Sequence, residues 1–270
     1  MKFFIYSNLT YQVNTSATLI LNVHALRTPY QAVLAETLTT EPYAKIEELS
    51  AINGENRLIR FGVNSPGTVT INYRATVDNN YEVKNPDDLF ETPVSRLDPE
   101  ILPFLFPSRY CQCDKMGQLA NERFGHIAHP YDKVRAVVDW IYNNVKYTVG
   151  SSNVETSAYD ILDSQVGVCR DFAHLGIAFC RALDIPARYF TAYAYLLVPQ
   201  DFHACFEAYL GGEWVLFDAT KLVPINGLIK IATGRDAADA SVANMFGDIS
   251  FQSMSVGCDL GDENFVPIYQ

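Results

Sequence analysis

Residues 202–218 read FHACFEAYLGGEWVLFD. Phe202 to Leu210 alternates, Glu213 to Asp218 returns, and Gly211-Gly212 between them is a two-residue hairpin signal. With those glycines as the loop, Leu210 pairs with Glu213, Glu207 with Leu216, and Cys205 lies opposite Asp218. His203 is two residues from Cys205 and therefore shares a sheet face with Asp218. Diagonal neighbours of this kind sit roughly 7–8 Å apart, a gap two side chains can bridge. A slip of one residue would put them on opposite faces.

Working upstream, Arg188 to Leu196 alternates as another strand, and Asp184-Ile185-Pro186 closes the segment before it. That segment, Cys169 to Leu183, is apolar nearly all round and predicts a buried central helix. Val134, Val137, Val138, Ile141 and Val145 recur at helical spacing behind Pro130, which suits a first helical turn. Asp114 is placed to cap a helix running to Phe124, with Gly125 as its stop. The second half is thus α+β, helices first and antiparallel strands after.

Residues 86 to 107 contain Pro86, Pro93, Pro99, Pro103 and Pro107 and read as an extended connection. Before it the chain looks all-β. Thr18 to Leu26 and Arg57 to Val63 are rich in strand formers, and Val69, Ile71 and Tyr73 alternate with Thr68, Thr70 and Asn72. Asn53-Gly54 and Ser65-Pro66-Gly67 are turn signals. The expected division is a β-sandwich-like domain over 1–84, a Pro-rich connection over 85–113 and a catalytic domain over 114–270.

The chain has 270 residues and a formal charge of −11, which disfavours nucleic acid or an anionic membrane as partner. The apolar run Phe3 to Tyr6 is too short for a signal-peptide core, and nothing approaches the ~20 apolar residues of a membrane span. The six cysteines show no framework spacing. Reduced thiols and a cytoplasmic location are the expectation.

Cys169 opens the central helix behind Gly167. Helix N-termini present unpaired N–H groups and partial positive charge, both of which stabilise a thiolate. An isolated cysteine there would usually be packing, since free cysteine is among the most buried residue types. The His203–Asp218 pair on a neighbouring sheet changes that balance. Thiol, imidazole and carboxylate are the set nucleophilic catalysis requires, with the Cys169 N–H as a first oxyanion donor and no cofactor or metal needed.

These stretches resemble a known family. GVCRDFAHLGIAFCRALDIPARY, DFHACFEAYLGGEWVLFDAT and the β-rich N-terminal segment are similar to the bacterial branch of the transglutaminase-like superfamily, a branch labelled as cysteine proteases. The resemblance implies a papain-like core over residues 130–220, with Cys169 as nucleophile, His203 as base and Asp218 as orienting acid. GRDAADA, Gly234 to Ala240, resembles a stretch downstream of the triad. Two positions depart from the pattern: Cys205 stands where Trp is usual, and Ala219 where Pro is usual. The expected reaction is acyl transfer at an amide carbonyl of a peptide or protein substrate, with hydrolysis preferred. Protein-glutamine transamidation, or a peptide-binding module with a dormant triad, are the alternatives.

Other candidates carry less. Cys205 lacks a helix dipole and reads as packing beside the site. His174, more than a turn beyond Cys169, reads as a core or rim histidine. His126 with His129, and Cys111 with Cys113, match no structural zinc spacing. Cys169, Cys205, His203 and Asp218 would together suit zinc, but thiolate–imidazole pairing already accounts for them.

Overall fold

The computed structural model describes residues 1–50 and 55–270, so the Asn53-Gly54 turn lies outside the described residues. The first strand, β1 (Lys2–Leu21), runs the length of one sheet. After it come β2 (Gln31–Glu41), β3 (Glu47–Ser50), β4 (Arg57–Val63) and β5 (Gly67–Asn79). Alternation sets the faces: Phe3, Ile5, Leu9, Tyr11 and Val13 of β1 are buried, and Val69, Ile71, Tyr73 and Val77 of β5 are buried against them. β1 pairs with β5 through Val13 and with β4 from Ala17, and the irregular step between them curls the antiparallel sheet. The Ser65-Pro66-Gly67 turn joins β4 to β5 as expected.

The Pro-rich connection is not simply extended. It winds through short 3-10 turns at Pro86–Asp88, Val94–Arg96 and Leu102–Leu105, two of which carry Pro at their start, where its fixed φ is already suitable. Leu89, Leu97 and Ile101 are buried along it. The Gly211 N–H donates to Phe90 O at 2.8 Å, so the connection wraps the hairpin loop.

The helices follow as α1 (Gly117–Phe124) and α2 (Pro130–Asn144). Asp114 does not cap α1: it lies in a 3-10 turn over Cys113–Lys115, and Met116 precedes the helix without a side-chain bond. Gly125 ends α1 in right-handed geometry, so its left-handed freedom is unused. Pro130 does open α2, whose Val134, Val137, Val138 and Ile141 are buried. β6 (Lys146–Tyr147), α3 (Ala158–Ser164) and β7 (Val166–Gly167) lead to the central α4 (Cys169–Ala182).

A four-stranded antiparallel sheet completes the core: β8 (Ala187–Ala194), β9 (Phe202–Leu210), β10 (Glu213–Phe217) and β11 (Leu228–Gly234), in the order β10-β9-β8-β11. The hairpin register is Glu213 with Leu210 through Phe217 with Phe206, as the glycine loop requires. α4 lies on this sheet. Its Gly176 approaches Phe206 so closely that a Cβ there would stand 2.5 Å from the ring.

The last strand, β12 (Ala243–Leu260), leaves the second unit and pairs antiparallel along β1, making a sixth strand of the first sheet. The interface between the units is polar as well as apolar. Tyr193 of β8 donates to Val23 O at 2.7 Å and meets Ser7 Oγ at 3.0 Å, and the Leu26 N–H donates to Lys230 O at 2.8 Å. The molecule is α+β, with four helices and twelve strands among the described residues.

Candidate active site

Cys169 is the first residue of α4 and is half-buried, whereas the other five cysteines are buried. The helix start is built by the residues around it. Asp171, fully buried, reaches back to accept from the Val168 N–H at 2.9 Å, the capping-box bond of a helix N-terminus. Arg170 pairs with the other Asp171 oxygen at 3.0 Å. Gly167 must be glycine because a Cβ would stand 2.9 Å from Asp171 Cβ and 3.2 Å from Ile161 Cδ1. The G-V-C-R-D stretch thus presents the thiol at a capped helix end.

His203 and Asp218 meet as the hairpin register predicts. His203 Nε2 lies 3.0 Å from Asp218 Oδ2, with both residues 1% exposed. The other oxygen of Asp218 accepts from the Thr220 N–H at 2.9 Å and the Thr220 hydroxyl at 2.7 Å. Gln270 steadies the same turn from outside, accepting from the Asp218 N–H and donating to Leu216 O. Burial alone would lower the His203 pKa, but the Asp218 carboxylate, Cys205 and the neighbouring Cys169 side chain hold it well above the usual imidazole value. Nε2 is engaged by Asp218, and buried Nδ1, which has no hydrogen-bond partner among the described residues, is the nitrogen left for Cys169.

Tyr147 is the site residue sequence reasoning missed. β6 and β7 pair in parallel, Tyr147 with Gly167, and the Thr148 N–H donates to Gly167 O at 2.9 Å. The ring rests on Phe172 at 5.8 Å, and the hydroxyl is close enough to Cys169 for the two groups to shift each other's protonation. Burial, then the nearby Cys169, push its pKa up to about 12, so it stays a donor at neutral pH. A two-residue strand paired to a distant one leaves no local signal.

Cys205 is buried in a small apolar cluster with Phe190 and Leu216. Burial, then Asp218, push its thiol up to about 12, which leaves it protonated. His174 is a core histidine, not a rim one. Its Nε2 accepts from the Ala237 N–H at 3.1 Å, Tyr110 stacks on it at 4.9 Å, and burial holds it well below the usual value. Its role is to seat GRDAADA, where Asp236 accepts from the Tyr110 and Ala238 N–H groups. Among the described residues His126, His129, Cys111 and Cys113 join no metal-competent cluster; His203, Cys205 and Asp218 do.

Comparison with known proteins agrees with this architecture. Residues 1–100 match the N-terminal domain of bacterial transglutaminases, and residues 117–219 match the transglutaminase-like superfamily. A crystal structure from Cytophaga hutchinsonii, of a protein provisionally described as a cysteine protease, is 55% identical with a TM-score of 0.97, covering 100% of this chain and 94% of that one. An uncharacterized protein of Mycobacterium leprae is 30% identical over 146 residues, which span 51% of this chain and about half, 52%, of that protein. A Mycobacterium tuberculosis protein, also uncharacterized, is 37% identical over 60 residues, 22% of this chain and 19% of its own length. With both units matched and a near-superimposable relative at that identity, the chain belongs to the transglutaminase-like superfamily.

Proposed function

We propose that this protein is a thiol-dependent enzyme that hydrolyses peptide-like amides through Cys169, His203 and Asp218. The observation that carries the reading is the buried His203–Asp218 pair, 3.0 Å apart, with the unpartnered His203 Nδ1 and the Cys169 side chain at the start of α4 beside it. The provisional protease description of the Cytophaga relative supports hydrolysis.

The chemistry follows from the positions. Cys169 gives its proton to His203 Nδ1 and its sulfur attacks the carbonyl carbon. Charge collecting on the carbonyl oxygen is met by the Cys169 N–H and the Tyr147 hydroxyl. The intermediate collapses, the C–N bond breaks, and His203 returns the proton to the leaving amine. A water then gives a proton to the same imidazole as it attacks the thioester. The carboxylic acid departs and the thiol is restored. Asp218, held by Thr220, fixes the ring and stabilises its charged form throughout. An amine acceptor in place of water would make the product a transamidated amide.

The test is site-resolved alkylation by iodoacetamide at pH 6, with His203→Ala alongside, followed by product analysis with water or a primary amine as acceptor. Cys169 is expected to react first of the six thiols and to slow by on the order of 10² without His203. Alkylation indifferent to His203 would leave a binding module in place of an enzyme.

A further inference from the structure

Cys205 has no part in the acyl-transfer steps, yet it lies beside the two residues that serve the nucleophile. One ligand-type atom from each of His203, Cys205 and Asp218 falls within 4.8 Å of the other two, and all three residues are buried.

We propose that His203, Cys205 and Asp218 form a binding site for a thiophilic divalent cation of the zinc class, and that its occupancy switches the thiol chemistry off. For two of the three ligands the geometry needs little change. Nε2 and Oδ2 stand 3.0 Å apart with a proton between them. Two ligands at bonds of about 2.0 Å on a tetrahedral ion are about 3.3 Å apart, so the ion replaces that proton with a shift of a few tenths of an ångström. Cys205 Sγ, within 4.8 Å of both, closes on the ion as the third ligand, and water completes the shell. A mixed S, N, O donor set selects zinc-like ions over calcium or magnesium.

Charge balance favours occupancy. A divalent cation, a neutral imidazole, a carboxylate and a thiolate sum to zero, so the occupied buried site carries no net charge. Ligand atoms must shed protons to bind the ion, so affinity rises with pH. Cys169 retains its sulfur but loses its base: Asp218 is now a ligand, and His203 can no longer cycle a proton.

The measurement is a Co²⁺ titration of the full chain carrying Cys169→Ala, which removes the exposed nucleophile from the reckoning. The expected result is one ion per chain, a thiolate-to-cobalt band in the near ultraviolet, and release of protons on binding. Zn²⁺ should displace the Co²⁺. Adding Cys205→Ser should abolish the band and weaken binding at least ~10-fold, with a native-like melting curve to exclude unfolding. In the unsubstituted protein Zn²⁺ should slow Cys169 alkylation, and EDTA should restore it. A band that survives Cys205→Ser, or none in the Cys169→Ala protein, overturns the site. The outcome is separate from that for the proposed enzyme, which rests on His203-dependent alkylation in metal-free protein.

Discussion

Tyr147 separates attack from charge stabilisation. Iodoacetamide alkylation of Cys169 needs the thiol and its base but develops no oxyanion, whereas amide cleavage does. Tyr147→Phe keeps the ring on Phe172 and removes only the hydroxyl. Loss of one such donor elsewhere costs roughly 10²–10³ in kcat, so that is the expected fall on a chromogenic peptide anilide. Alkylation of Cys169 should stay within a few-fold of the unsubstituted protein. Equal losses in both assays would mean that Tyr147 merely packs against the nucleophile. The meeting of His203 with Asp218 was legible in the sequence because two adjacent glycines set a register and the register sets a face, and Cys169 stood out as the opening residue of an apolar helix. Tyr147 was not, because its approach to Cys169 depends on β6 meeting β7, a pairing of two residues each.

At the scale of the element, α4 places the thiol only if it lies close on the sheet, and Gly176 sets that distance. Glycine inside a helix costs up to ~1 kcal/mol relative to alanine, so Gly176→Ala would stabilise an isolated helix. Here the added methyl would meet Phe206 at 2.5 Å, and Phe206 is fully buried and stacked on Phe217 at 5.7 Å. Overpacking of this kind costs roughly 1–3 kcal/mol, which outweighs the helical gain. Gly176→Ala should therefore lower the midpoint of denaturant unfolding and slow His203-dependent alkylation of Cys169 as α4 moves off β9. A stabilised variant with unchanged alkylation would show that the ring gives way freely. The apolar pattern announced this helix, and Pro130 announced α2. The start of α1 was misjudged at Asp114 because a capping residue is only as informative as the turn before it, and that turn is 3-10.

Across the whole molecule, the two units share a floor built from segment 22–27. Its Val23 and Leu26 are bonded to Tyr193 and Lys230 of the four-stranded sheet. From the other side the segment is held by a charged network: Arg57 donates to Ala25 O and to Glu36, Tyr73 donates to Glu36, and the Ala25 N–H donates to Tyr73. Sequence patterns could not reveal this floor, nor the pairing of β12 with β1, because both join residues far apart in the chain through backbone groups that every residue carries. The network is sensitive to acid. Burial alone would raise the Glu36 pKa, but hydrogen bonds from Arg57 and Tyr73 and the Arg57 charge outweigh it and lower the pKa to about 2. A carboxyl depressed in the folded state stabilises that state above its unfolded value of about 4.5, and the contribution is lost as pH falls through about 2. Melting temperatures measured from pH 6 down to pH 2 should therefore fall more steeply for the unsubstituted protein than for Glu36→Gln, which lacks the contribution at every pH. Because the floor is common to both units, the loss should appear as one cooperative transition, read alike by the β-sheet signal and by exposure of Cys169 to alkylation. Parallel pH profiles for the two proteins would remove Glu36 from the stability of the interface. A Cys169 signal that melts apart from the sheet would show that the floor does not couple the units.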